Sequence, residues 1–138
     1  MSLFNVFNVT GSAMSAESVR LNTTASNLAN ANTVSSSAAQ TYKARHPVFE
    51  AALQSASYQR EESVPVRVKA IVESQKPLTA EYNPAHPLAN AEGYIYKPNV
   101  NVMEEMANMI SASRSYQSNV QVADASKQML MRTLQMGK

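Results

Sequence analysis

Residues 102–136 read VMEEMANMISASRSYQSNVQVADASKQMLMRTLQM, and the spacing of their apolar side chains decides the fold. Val102, Met106, Met109, Tyr116, Val120, Ala123, Leu130 and Leu134 recur at intervals of three and four or their sums, so they share one face of a helix. Only Ser113 and Lys127 interrupt this seam. At 1.5 Å per residue the helix is roughly 50 Å long, and Gly137 stands where a C-cap is expected. Glu104 and Glu105 fall in its first turn, where carboxylates complement the helix dipole, and read as a solvated pair. A rod of this length cannot bury its stripe against a small domain and needs a partner along its length.

The partner is the other end of the chain. Residues 3–31 place Leu3, Phe7, Met14, Leu21, Ala25 and Leu28 on one helical face. Gly11, between Thr10 and Ser12, weakens this helix, whose first turns are expected to fray or bend there. The helix stops in SNLANANT (residues 26–33), where Asn27, Asn30 and Asn32 take over from apolar residues. Asparagine tolerates the left-handed conformation that ends many helices, and its amide can bond backbone or an adjoining subunit.

Between the helices the texture changes, with all six prolines lying from Pro47 to Pro98. Val64, Val66 and Val68 alternate with Pro65, Arg67 and Lys69, which predicts a half-buried strand running on to Ile71 and Val72, with Pro65 at its start or edge. Residues 42–49 read as a second strand. Residues 78–82 and 94–96 are weaker strands, separated by the turn-rich NPAHPLANAEG (residues 83–93). Residues 35–40 and 54–63 read as loops. The fold class is α+β, mainly α. An N-terminal helix (residues 1–33) and a C-terminal helix (residues 99–138) pair as a coiled-coil-like stalk, with a small β-rich insertion (residues 34–98) between them.

Composition narrows the function. The 138 residues carry a net charge of +2 with no basic cluster, too little for a nucleic-acid or anionic-lipid footprint. There is no cysteine, and the first basic residue is Arg20, so no secretory signal is expected. No apolar run approaches the roughly 18 to 20 residues that span a bilayer, so membrane insertion is not expected. His46 and His86 each precede a proline, and neither lies near other ligands at metal-binding spacing. No G-x-S-x-G elbow or Gly-rich phosphate loop is present, and no cofactor or metal is implied. Met103, Met106, Met109, Met129, Met131 and Met136 crowd the last helix, where flexible thioethers suit packing against several slightly different neighbours. What remains is a structural or interaction protein whose seams form either a closed hairpin or subunit contacts. Heterologous contacts that do not close would give a filament.

Two stretches make the reading specific. RLNTTASNLANANT (residues 20–33) resembles the amino-terminal signature of bacterial flagellar rod and hook proteins, and residues 86–138, from HPLANAEGYIYKPNV onward, resemble the carboxy-terminal one. GSAMSAESVRLN (residues 11–22), the His-Pro before a Gly-Tyr, and PNVNVMEEM (residues 98–106) point to the short proximal members rather than the longer distal rod or hook proteins. VSSSAAQ (residues 34–40) departs from the family, whose members commonly carry a glycine-containing turn there.

The resemblance implies a non-enzymatic subunit of the proximal rod, polymerising with copies of itself and other rod proteins into the drive shaft that transmits torque and surrounds the export channel. It implies contacts with the MS-ring and rod-junction proteins, passage through the flagellar type III export apparatus without signal cleavage, and a periplasmic place in the basal body. The paired helices would form the inner layer and the β-rich part the outer one. The expected assembly residues are Leu21, Asn27, Leu28, Asn30, Asn32, Met106, Met109, Tyr116, Val120, Leu130 and Leu134. An isolated seam gains little to offset ordering entropy, so the terminal helices are expected to be largely disordered in the monomer and to fold on docking. The competing reading is a cytosolic export chaperone or adaptor whose hairpin binds secreted subunits. A wall-cleaving hydrolase comes third, for want of a catalytic set.

Overall fold

The computed structural model describes residues 3–52 and 64–137. The loop expected over residues 54–63 lies outside them. The elements run α1 (Leu3–Asn30), β1 (Arg45–Ala51), β2 (Val66–Glu73), β3 (Thr79–Tyr82), β4 (Tyr94–Lys97) and α2 (Val102–Met136). Two long helices thus flank two antiparallel ribbons, β1 with β2 and β3 with β4.

α1 passes through Gly11 unbroken. The neighbouring hydroxyls hold the backbone: Thr10 Oγ1 donates to the carbonyls of Val6 (2.8 Å) and Phe7 (3.2 Å), and Ser12 Oγ donates to that of Val9 (2.8 Å). Ser12 Oγ also accepts the Val66 N–H (3.2 Å), tying β2 to this turn. The helix ends without a left-handed asparagine, since no described non-glycine residue has positive φ. Instead Ala31 N–H donates to the Leu28 carbonyl (3.2 Å) and Thr33 N–H to that of Asn30 (3.1 Å), tightening the last turn to a three-residue spacing. α2 begins at Asn101, whose side-chain oxygen accepts from the N–H groups of Met103 and Glu104. Gly137 stands at its C-cap with φ −89°, also not left-handed.

β1 starts at Arg45, later than the expected residue 42, because the backbone just before it is used elsewhere. Ala44 N–H donates to Asn99 Oδ1 (2.8 Å), and Asn99 Nδ2 donates to the Lys76 carbonyl (2.7 Å), so one asparagine joins the entries to β1, β3 and α2. The β1–β2 register runs from Arg45↔Glu73 to Ala51↔Val66 with a bulge at Val48/Phe49. Glu50 pairs with Arg67 and Lys69, and the hydrogen bond from Arg67 holds its carboxyl below the usual range. In β3–β4, Thr79↔Lys97 to Tyr82↔Tyr94 are partners, and Ser35 and Tyr96 exchange backbone bonds that bring residues 34–36 alongside.

Gly93 closes the second ribbon with φ +82°, and a Cβ there would lie 2.8 Å from Tyr82 Cε2 and 3.2 Å from Pro84 Cβ. A Cβ at Gly11 would meet nothing within 4 Å. The two glycines should therefore respond oppositely to alanine. Gly11→Ala is expected to raise helicity measured by circular dichroism, stabilising α1 by about 0.5–1 kcal/mol. Gly93→Ala is expected to open the β3–β4 turn, read as faster proteolytic cutting within residues 83–92.

Candidate assembly surface

α1 and α2 pack antiparallel, with Arg20 donating to Asn108 Oδ1 across the pair (3.2 Å) and lying 3.6 Å from Glu17 on its own helix. The residues buried along the pair are small or polar. α2 buries Glu105, Ala112 and Ser126, at multiples of seven, and α1 buries Thr10, Ala16, Thr23, Thr24 and Asn27. On α1 the β1–β2 ribbon covers part of this set, Asn27 lying against Tyr42 and Arg45, and the expected apolar stripes border the buried residues and overlap their edge: Leu28 lies five helical turns from Thr10, and Leu130 five turns from Ala112.

On α1, Phe7, Met14, Leu21 and Leu28 are half-buried. On α2, Met109, Val120 and Leu130 are half-buried, Tyr116 is 38 % exposed and Met106 49 %. On a 100° wheel the centres of both stripes lie to the same rotational side of the buried residues. In antiparallel helices this displacement places both on one side of the pair. Leu134 is 62 % exposed, and Met103, Ile110, Met129, Met131 and Met136 are each more than half exposed. Ile110 is absent from the expected set because it falls outside the stripe's spacing.

The three asparagines that end α1 differ in their use. Asn27 is fully buried: its Nδ2 donates to the Arg45 carbonyl (2.8 Å), and its Oδ1 accepts the Tyr42 hydroxyl (2.8 Å) and the Arg45 N–H (2.9 Å). It holds β1 onto α1 inside the subunit. Burial pushes the Tyr42 hydroxyl above its ordinary pKa, opposed by Arg45 and reinforced by Glu105 and Glu73, which keeps the donor protonated. Asn30 Nδ2 donates to the Ser26 carbonyl (2.9 Å), and Asn32 is exposed.

The solvated acidic pair needs correcting. Glu104 is exposed and lies 3.5 Å from Lys76, but Glu105 is only 3 % exposed, because its position faces the seam where β1 covers the start of α2. Its Oε1 is 3.9 Å from His46 Nδ1, too far for a hydrogen bond. His46 thus belongs to β1, and His86 Nδ1 accepts the Leu88 N–H (3.1 Å) within the β3–β4 turn.

Beside α1 an open groove of about 720 Å³ runs over Asn22, Ser26, Asn30, Tyr42, Arg45 and Glu73. It gathers no nucleophile–base pair. Among the described residues no group of three or more His, Asp or Glu could hold a metal ion, and no helix is long and apolar enough to cross a membrane.

The chain exposes 9782 Å², whereas a compact monomer of 15.0 kDa exposes about 7,000 Å². Among described residues the buried apolar side chains are Ala16, Ala44, Ile95, Pro98 and Ala112, and the largest fully buried side chain is Asn27. Little apolar bulk is buried within the subunit, and much stands on its helices.

Comparison with known proteins agrees with that surface. Residues 7–35 match the family described as Flagella basal body rod protein, and residues 91–136 the family described as Flagellar basal body rod FlgEFG protein C-terminal. Over the full length of both chains the sequence is 46 % identical to the flagellar basal-body rod protein FlgC of Yersinia enterocolitica and 45 % identical to that of Salmonella typhimurium. It is 35 % identical to the Bacillus subtilis protein of the same name, again over both full lengths. A helix pair with its apolar bulk turned outward and full-length identity at this level lead to one conclusion: the chain belongs to the family of the flagellar basal-body rod protein FlgC.

Proposed function

We propose that this chain is a non-enzymatic structural subunit of the proximal flagellar rod, built into the periplasmic drive shaft by contacts with copies of itself and other axial proteins. The observation that carries this reading is the apolar bulk left exposed on the helices, where Met103, Ile110, Met129, Met131, Leu134 and Met136 are each more than half exposed while the buried residues are small or polar. Leu21, Leu28, Met106, Met109, Tyr116, Val120, Leu130 and Leu134 would make those contacts. Asn30 and Asn32 lie near enough to the surface to join them, whereas Asn27 serves the subunit's own fold.

In this reading the helices face the export channel and the ribbons face outward. The chain travels through the flagellar type III apparatus and meets the MS-ring and rod-junction proteins at the base. Its terminal helices gain their full order on docking, when the flank is covered. Circular dichroism of dilute purified chain tests that step, and full helicity there would contradict it. Fractionation tests the reading as a whole: a rod subunit co-purifies with hook–basal bodies, whereas an export chaperone stays in the cytosol.

A further inference from the structure

We infer that the exposed methionines of α2 are a sulfoxidation site for hydroperoxide-class oxidants, and that a chain oxidised there is kept out of the rod. The exclusion rests on the rod-subunit reading, whereas the oxidation does not.

Composition sets the chemistry. The chain has no cysteine and no tryptophan but eight methionines, so thioether sulfur is its most readily oxidised group. Six of them lie on α2. Met103, Met106, Met129, Met131 and Met136 are 76, 49, 55, 52 and 81 % exposed, whereas Met109 is half-buried. None of the five is among the residues that α2 buries, which are Glu105, Ala112 and Ser126. An oxidant therefore reaches their sulfurs in the folded subunit, and reaches them no less before the helices are fully ordered.

The step is a two-electron oxygen transfer. The sulfur lone pair attacks the distal oxygen of the hydroperoxide, and an S–O bond forms as the O–O bond breaks. The proton on the transferred oxygen passes to the departing one, which leaves as water or an alcohol. Sulfur loses two electrons and the peroxide gains them. A thiol-dependent sulfoxide reductase reverses the step, turning two thiols into a disulfide and releasing water.

The product is polar where the sulfide was apolar. In the free subunit the new oxygen bonds to water, so the fold is kept. Where a neighbouring subunit covers it, the oxygen loses that water among apolar contacts and carries the penalty of any buried, unpaired polar group. Oxidation thus acts on incorporation and not on folding.

A competition inside one cell tests this. The wild-type chain and a variant carrying Met103→Leu, Met106→Leu, Met129→Leu, Met131→Leu and Met136→Leu are expressed at equal levels as the only copies, and leucine keeps the apolar bulk. Cells building new flagella are exposed to hydrogen peroxide, and mass spectrometry counts both chains, and the sulfoxide on each, in basal bodies and in the unassembled pool. Peroxide is expected to shift the basal-body ratio roughly tenfold toward the leucine variant. Sulfoxide at the five positions is expected in the unassembled pool and to be depleted in basal bodies. An unchanged ratio, or no sulfoxide at these positions in the unassembled pool, overturns the inference. If the leucine variant fails to enter basal bodies without peroxide, the wild-type chain decides: sulfoxide as abundant in basal bodies as in the pool overturns the inference, and depletion supports it. Absence of the untreated wild-type chain from basal bodies overturns the rod reading instead.

Discussion

Leu21→Asp and Leu130→Asp are each expected to remove the chain from assembled rods and abolish swimming, while leaving the amount of soluble chain nearly unchanged. Both residues are half-buried on the helix pair, Leu21 within about 20° of Thr10 and Leu130 in line with Ala112 on a 100° wheel. In the free subunit a carboxylate at either place still reaches water, so the folding cost is on the order of 1 kcal/mol. In a covered interface the same carboxylate loses its hydration without a partner, and several kcal/mol are lost at every copy. Immunoblots of isolated basal bodies and swimming in soft agar read the effect. Normal motility in both variants would place the flank outside the assembly contacts.

The second large effect is expected at Asn27. Truncation by Asn27→Ala leaves the Tyr42 hydroxyl and the N–H and carbonyl of Arg45 without their present partners, next to a fully buried position. Unpaired buried groups cost about 1–3 kcal/mol each, so a loss on the order of 3–5 kcal/mol is expected. That is a large share of the roughly 5–15 kcal/mol that holds a domain. Asn30→Ala loses only a bond from Nδ2 to the Ser26 carbonyl near the surface and should cost about 1 kcal/mol, with rods intact. The denaturant concentration at which isolated rods release the chain separates the two. Equal midpoints would mean that the asparagines act alike, as a simple helix stop.

The asymmetry between these asparagines shows where sequence reading reaches and where it ends. Helical periodicity placed α2 at Val102–Met136 and α1 within a residue of its end, because long amphipathic spacing is a strong local signal. Alternation and proline placed the core of β2. Periodicity identifies an apolar face but not what that face meets. A stripe of Leu, Met and Tyr reads the same whether it is buried inside one subunit or left for the next. Only packing shows that Ala112 and Ser126, which carry no hydrophobic signal to speak of, hold the seam.

Polar residues were the less legible part for a related reason. Asn27, Asn30 and Asn32 form one phrase in the sequence, yet 15 and 18 residues of separation link Asn27 to Tyr42 and Arg45. Asn99 gathers Ala44 and Lys76 across 55 and 23 residues. Such bonds depend on tertiary placement, which spacing along the chain does not encode. Glu105 was misread on the same count: the first-turn dipole argument fits both carboxylates, but only Glu104 faces solvent.

The central claim is that the flank of the α1–α2 pair is the assembly surface. A density map of the intact rod, at a resolution that shows side chains, tests it most directly. The account predicts this chain with its helices toward the channel, its ribbons outward, and Leu21, Leu28, Tyr116 and Leu130 buried against neighbouring subunits. A map in which those four side chains face solvent, with the ribbons making the subunit contacts, would contradict it.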